Sequence, residues 1–380
     1  MHNLSGIYKN ITYFKGLNTL RFIAAYLVVI HHSETMKLKN GFEKISSFSL
    51  FSNGGNAVTF FFVLSGFLIT YILLREKKDT QTVHVKNFYL KRVLRIWPLY
   101  YLLVILGAII IPFFINYLHI DYEMPYTFSQ TWYYFVFFLP LLVTFNFGHH
   151  LLEPLWSIGV EEVFYLIWAP LFKFVKTNIL QLLLSVIIIK VILMAIPLTI
   201  ETSKLYNYIV NHFKFEAMAI GGLGAYWIFH SQKSIGLSIL YKRASQVIIY
   251  SILFVYLVLD SNIENSVWKA LFHTEIISPL WINFLFLYLI IGVSLAENSV
   301  LRLENKWTSY LGTISYGIYM YHTIVISIVI LCLKKLPIDL SAQWNNLLFY
   351  VLVTIGVLLI SHLSKKYFED YFLNLKNKIM

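Results

Sequence analysis

Charge is what this chain has least of. Asp, Glu, Lys and Arg make up 13% of its 380 residues, against about 25% in a soluble domain. Hydrophobic residues make up 58%. A chain so composed cannot cover itself with polar groups, so much of its solvent must be lipid. Cysteine is almost absent. The single thiol, Cys332, lies in an apolar run. It cannot form an internal disulfide, offers no thiolate chemistry without a basic neighbour, and reads as a small apolar filler. A Walker A loop, a dinucleotide-binding glycine motif and an H-E-x-x-H zinc pair are also missing. ATP-driven transport and metal-dependent peptidase chemistry lose support, and no metal is expected. The first fifteen residues carry no signal-peptide pattern, so the first apolar run is expected to stay as a span. No internal repeat or soluble second domain is evident. One integral-membrane domain is expected over residues 1–380.

What is present is a series of apolar runs near the 20-residue length of a membrane helix, without the alternation of a β-barrel. The expected fold is all-α and integral to the membrane. Its expected spans are 16–35, 56–74, 97–118, 156–175, 178–198, 213–230, 245–260, 280–296, 309–333 and 345–363. An eleventh run, 131–147, is aromatic-rich and contains Pro140. With ten spans, most loop Lys and Arg fall on the side of the N-terminus, among them Arg75, Lys77, Lys78, Lys86, Lys91, Arg92 and Arg95. The segment 119–155 has no Lys or Arg at all. The positive-inside rule then puts both termini in the cytoplasm and makes 131–147 re-entrant or interfacial. The same rule accounts for the net charge of +11, and no nucleic-acid partner is expected.

Four clusters of polar residues interrupt these runs. Arg21 and His32 stand eleven residues apart in the first run. At about 100° per residue they share one helix face, while His31 lies roughly 80° off it. Ionisable groups within a span are costly and usually face the protein interior. His32 is the better candidate base, since a neutral imidazole takes a proton at physiological pH; capping of the outer helix end is the alternative. The second cluster is Lys91, Arg92 and Arg95. Arg92 and Arg95 are neighbours at i, i+3, and two guanidinium forks suit a phosphate or pyrophosphate. A positive-inside anchor with Trp97 in the aromatic belt is the competing reading.

The third cluster runs from Glu153 to Leu166 and holds Trp156, Ser157, Glu161, Glu162 and Tyr165. Carboxylates at the start of a span can serve the helix N-terminus, or orient a histidine, bind sugar hydroxyls or pair with Arg21. Tyr165 follows Glu161 at i+4 and shares its face. The fourth cluster, Leu311 to His322, combines small residues for close helix contact with an intramembrane histidine, His322. An interhelical hydrogen bond and a direct role are both open to it. Ser65-Gly66, within the bulky run Phe60–Ile69, lacks the setting of a nucleophile elbow and reads as a helix-packing site.

Together these motifs resemble the bacterial membrane acyltransferase 3 family, whose members O-acylate surface sugars and related acceptors. The resemblance rests on Arg21-x10-His32, on Phe61-Phe62-Val63-Leu64-Ser65-Gly66-Phe67 and on Arg92-x2-Arg95-Ile96-x-Pro98. It continues with Trp156-Ser157-x3-Glu161-Glu162-x-Phe164-Tyr165 and Gly312-x-Ile314-Ser315-Tyr316-Gly317-Ile318-Tyr319-x2-His322. Asn18 departs from the Asp common in the family, and Gly159 and Val163 replace its usual small-polar and amide residues. The resemblance implies about ten spans, a bacterial inner-membrane location, and acetyl-coenzyme A or another acyl-coenzyme A as donor. It implies a carbohydrate acceptor such as exopolysaccharide, capsule, O-antigen or peptidoglycan. Residue chemistry then suggests His32 as general base, with Arg21 binding donor phosphate or stabilising developing charge. Glu161 would orient the imidazole or the acceptor, and Lys91, Arg92 and Arg95 would hold the donor phosphates. Glu162, Tyr165, Trp156, Ser157 and His322 are supporting candidates. The alternative from another class is a transporter or flippase of lipid-linked sugars, since intramembrane Arg, His and Glu also line substrate paths. Oligomeric state has no signature in the sequence.

Overall fold

The structure is a computed structural model that describes residues 8–43, 45, 49–120, 124, 126–137, 139–148, 150–175, 178–231, 239–336 and 343–379. Among these residues the chain is helical and contains no strand. Ten long helices carry the fold. They are α1 (Leu17–Lys39), α2 (Gly54–Thr80), α3 (Val85–Tyr117), α4 (Leu155–Phe174), α5 (Ile179–Leu198), α6 (Phe215–His230), α7 (Arg243–Asn262), α8 (Ile277–Leu295), α9 (Ser315–Lys334) and α10 (Asn345–Leu375). Each falls on one of the runs expected to span. All but α1 and α6 are long and apolar enough to cross a membrane, giving eight such helices among the described residues. α1 carries Arg21, Glu34, Lys37 and Lys39. α6 has 16 residues, short of the roughly 20 that cross a 30 Å hydrocarbon core.

The run 131–147 forms no such helix. A 3₁₀ segment covers Phe128–Phe135, and a helix of eight residues, Pro140–Phe147, follows. That helix is about 12 Å long, less than half the core thickness. Pro140 opens it, where a missing N–H costs nothing, and Gly148 closes it with φ of 70°. Phe138 lies outside the described residues, as do 1–7, 176–177 and 232–238 of the basic side.

The chain divides into two interleaved compact units. The first comprises Met1–Leu27, Ser46–Val83 and Trp168–Thr313, and so holds α2, α5 to α8 and the first part of α1. α6 is its hub, with 11 of its 16 residues buried. Glycine is what lets neighbours approach. A Cβ on Gly66 of α2 would run into the Met218 carbonyl of α6, and one on Gly221 of α6 into the Val63 carbonyl of α2. Gly222 faces Leu183 of α5, and Gly224 faces Leu287 of α8. Bare backbone on both helices maximises dispersion contact where lipid supplies no hydrophobic drive. Ser65-Gly66 is thus a packing site. The unit also buries an ion pair that sequence reasoning did not single out. Lys190 of α5 lies 3.5 Å from Glu216 of α6. Its ammonium also donates to the Phe213 carbonyl at 2.7 Å and to that of Val210, which offsets its desolvation.

The second unit comprises Val28–Ile45, His84–Ile167 and Ile314–Met380. It holds the rest of α1, with α3, most of α4, α9 and α10. Gly317 of α9 packs on Ser361 of α10. At the end of α1, Glu34 accepts from Lys37 at 2.6 Å and from Tyr350 at 2.5 Å. Its other oxygen accepts from the Ile45 N–H at 2.5 Å. Lys37 has no exposed surface, yet its charge is matched, so this end of α1 is fixed rather than strained.

Overpacking of this kind costs about 1–3 kcal/mol or more. Gly221→Val is therefore expected to lower the thermal unfolding midpoint of detergent-purified protein. Gly55→Ala, whose added methyl would meet nothing within 4 Å, is expected to leave it unchanged. Equal midpoints for the two variants would refute the close α2–α6 contact.

Candidate active site

His32 sits on the part of α1 that belongs to the second unit, 13% exposed at its side chain. Its Nδ1 lies 3.6 Å from Oε2 of Glu153. Glu153 belongs to the turn that leads from His150 into α4, and its N–H donates to the His150 carbonyl at 3.1 Å. The ring of His32 also lies 5.0 Å from that of His322 on α9 and 5.3 Å from that of His31. Three imidazoles and one carboxylate thus converge in the apolar interior of one unit.

His322 is fully buried. Its Nδ1 is 2.6 Å from the Tyr319 carbonyl, and a carbonyl only accepts, so Nδ1 carries a proton. In the neutral ring Nε2 is then the lone-pair nitrogen, and it is buried with no hydrogen-bond partner among the described residues. α9 also fixes the turn that presents Glu153. Thr323 donates to the Leu151 carbonyl at 2.6 Å, and the Tyr319 hydroxyl meets Ser157 Oγ at 2.6 Å. Ser157 and Tyr319 further approach the Pro154 carbonyl, at 3.1 and 3.3 Å. One turn after another, the polar residues of α9 hold the entry to α4.

From there α4 runs a polar column along itself. Glu161 accepts from Tyr165, while Glu162 accepts from Trp97 Nε1 of α3 at 3.1 Å. The second oxygen of Glu162 is buried without a hydrogen bond among the described residues. Tyr165 meets the basic segment. The Arg92 guanidinium lies 5.5 Å from the ring centres of both Phe88 and Tyr165, a stacking that holds its plane. Its Nε is buried without a hydrogen-bond partner among the described residues. Lys91 and Arg95 are exposed. On α9, Tyr316 donates to the Ile96 carbonyl of α3 at 3.0 Å, next to Arg95 in the chain. From Leu155 to Tyr165 the helix rises about 15 Å, so the histidine cluster and the arginines occupy two ends of one column.

Of the residues singled out by sequence, the second unit brings together His32 with His322, Ser157 with the Tyr319 that leads to His322, and Arg92 with Tyr165, Glu161 and Glu162. Trp156 opens α4 beside them. Glu161, expected to orient the imidazole or the acceptor, accepts from Tyr165, and Glu153 lies 3.6 Å from His32. Glu153 and Tyr319 went unassigned, although both lie inside the motifs read from the sequence. Arg21 belongs to the first unit, where Nη1 donates to Asn18 Oδ1 at 3.0 Å. The amide of Asn18 thus holds the guanidinium. α1 runs unbroken through Arg21 and His32. No group of three or more His, Cys, Asp or Glu with metal-binding geometry occurs among the described residues.

Comparison with known proteins adds a second line. A family model described as an acyltransferase domain matches residues 14–364. The peptidoglycan O-acetyltransferase OatA of Listeria monocytogenes is 25% identical across 96% of this chain and 58% of its own length. A putative O-acetyltransferase of Staphylococcus aureus is 24% identical across 85% of the chain and 52% of its own. The putative peptidoglycan O-acetyltransferase YrhL of Bacillus subtilis is 25% identical across 83% and 49%. The chain therefore spans about half the length of these relatives. Nothing in these descriptions favours the transport alternative. No solved structure gives a significant match.

The α9 contacts are open to test without any assay of function. An interhelical hydrogen bond in a membrane protein is worth about 0.6–2 kcal/mol. Tyr319→Phe and Thr323→Val are each expected to lower the thermal midpoint by a matching amount. If neither moves it, α9 does not fix the turn that carries Glu153.

Proposed function

We propose that this chain, which belongs to the acyltransferase domain family, is an O-acyltransferase of the bacterial cell envelope. In this reading it transfers an acetyl group from acetyl-coenzyme A to a hydroxyl of peptidoglycan or a related surface polysaccharide. The observation that carries it is the His32–Glu153 pair, 3.6 Å apart, in the interior of a helical membrane unit. The peptidoglycan acceptor is supported by the descriptions of the Listeria and Bacillus relatives.

His32 takes the proton of the acceptor hydroxyl as that oxygen attacks the thioester carbonyl. The new C–O bond forms, the C–S bond breaks, and the imidazolium returns its proton to the leaving thiolate. Glu153 steadies the imidazolium, the task of the acid in a catalytic triad. Arg21 binds donor phosphate or balances the negative charge that builds on the carbonyl oxygen. Arg92, with Lys91 and Arg95, receives the donor's phosphates. Its stacking on Phe88 and Tyr165 and its unbonded buried Nε suit a fork kept ready for an anion. The basic loops on the N-terminal side support cytoplasmic termini, the side from which coenzyme A would arrive. The column between Arg92 and His32 then gives a thioester arm its path toward an acceptor from outside.

A general base is worth about 10²–10⁴-fold. In nanodiscs with labelled acetyl-coenzyme A and a peptidoglycan acceptor, His32→Ala is expected to lose turnover by at least that range, and His31→Ala by less. Glu153→Gln is expected to cost more than Glu161→Gln; the reverse order would take the orienting role away from Glu153. A normally inserted His32→Ala protein with full activity defeats the mechanism. On the donor side, Arg92→Gln with Arg95→Gln is expected to weaken acetyl-coenzyme A binding by about tenfold or more, since hydrogen bonds to charged groups are worth about 1.5–3 kcal/mol. Unchanged affinity would move the donor elsewhere.

A further inference from the structure

The first unit contains a cavity of about 250 Å³ that the proposed chemistry leaves unused. Its polar lining consists of Asn56, Thr59, Lys214, His273, Thr274 and Ser278. It sits where α2, α6 and α8 begin, since Asn56 is in the first turn of α2, Lys214 precedes α6, and Ser278 is in the first turn of α8. The basic residues Arg75, Lys77 and Lys78 lie at the other end of α2. By the positive-inside rule the cavity therefore faces outward, away from the donor's side.

Its charge is not balanced from within. No carboxylate lines it. The neighbouring acids already have partners other than Lys214, Glu216 with Lys190 at 3.5 Å and Asp260 with the lining residue His273 at 3.0 Å and with Trp268 Nε1 at 2.7 Å. Lys214 forms no ion pair among the described residues. Around it stand hydroxyl and amide groups whose N–H and O–H already donate within the protein, so that their oxygens are left to accept. The side chains of Thr274 and Ser278 meet at 3.2 Å, Thr274 donates to the Ala270 carbonyl at 3.1 Å and Ser278 accepts from the Thr274 N–H at 2.7 Å, so each hydroxyl keeps one lone pair for a further donor. Asn56 is fixed by the Tyr256 hydroxyl, to which it donates at 2.9 Å. Tyr256 is fixed in turn by stacking on Phe272 at 4.7 Å, with Trp268 on Phe272 at 4.3 Å. An apolar wall of Phe272, Pro279 and Ile282 completes the site.

One point cation, several hydroxyl and amide groups and one apolar wall, in room for about one sugar ring, define a recognisable ligand. The cation is a lysine, and no guanidinium fork lines the cavity, so the match is a single negative charge rather than a phosphate. We propose that this cavity is an outward-facing subsite for a saccharide residue that bears a carboxylate, with Lys214 pairing the carboxylate and Asn56, Thr274 and Ser278 bonding ring hydroxyls. The proposal rests on the reading that the acceptor is a cell-envelope carbohydrate, and it deepens that reading by naming the chemical class of saccharide the first unit would take.

The test uses the full chain in nanodiscs and ligand-observed NMR titration with three probes. These are N-acetylmuramic acid, its counterpart without the carboxylate, N-acetylglucosamine, and N-acetylglucosamine 1-phosphate. A lone sugar ring should bind on the order of millimolar. Wild-type protein is expected to prefer N-acetylmuramic acid over N-acetylglucosamine by roughly five- to tenfold. Lys214→Gln should abolish that preference, Lys214→Arg should keep it, and Ser278→Ala should weaken both neutral and anionic sugars alike. Absence of saturable binding, or a preference that survives Lys214→Gln, overturns the subsite. Tighter binding of the phosphate overturns the single-charge match. The wild-type comparison alone decides the matter should a variant fail to fold. Binding as expected without acetyl transfer would leave the subsite standing and sink the acyltransfer reading. Acetyl transfer with no carboxylate preference would do the opposite.

Discussion

An ionisable side chain inside an apolar unit must find its partner within the protein, and His32 finds Glu153. This contact sets the demands on everything around it. Glu153 is in a turn rather than in a helix, so its carboxylate keeps its place only if that turn is held. α9 holds it from outside, through Thr323 on the Leu151 carbonyl and Tyr319 on Ser157. The same helix brings His322 to within 5.0 Å of the His32 ring. α9 is therefore both wall and clamp, and its small residues, such as Gly317 against Ser361, let it sit close enough to be both.

α4 translates that arrangement along its own axis. Its first turn receives the clamp, and three turns later Tyr165 supports the Arg92 guanidinium. Between them Glu161 and Glu162 are each met by a donor, Tyr165 and Trp97. A column of polar groups this continuous would be unfavourable in lipid and is tolerable only when enclosed by other helices.

The helices were legible because length and apolarity decide them. Every run expected to span became a long helix, and the absence of Lys and Arg from 119–155 had already set 131–147 apart from them. Helical period also grouped Glu161 with Tyr165, a pair within one element. It could not find the partner of His32. Glu153 lies before α4 begins, and its position depends on hydrogen bonds from a helix some 170 residues later in the chain. Periodicity speaks about faces of one helix and is silent about which turn another helix will pin. Lys190 was overlooked for a different reason. It is one lysine in a strongly apolar run, and only the rule that such residues are rarely idle could have drawn attention to it. Its partners, two carbonyls and Glu216, come from the approach to α6 and its first turn.

α6 carries a further consequence. Gly221, Gly222 and Gly224 turn toward three different neighbours, α2, α5 and α8. A surface given over to intimacy with other backbones has no side chains left with which to react or to grip. Whatever selectivity this helix lends must be exercised at its tip, where Lys214 precedes the first turn, while its shaft serves as an axle around which the neighbouring helices are gathered.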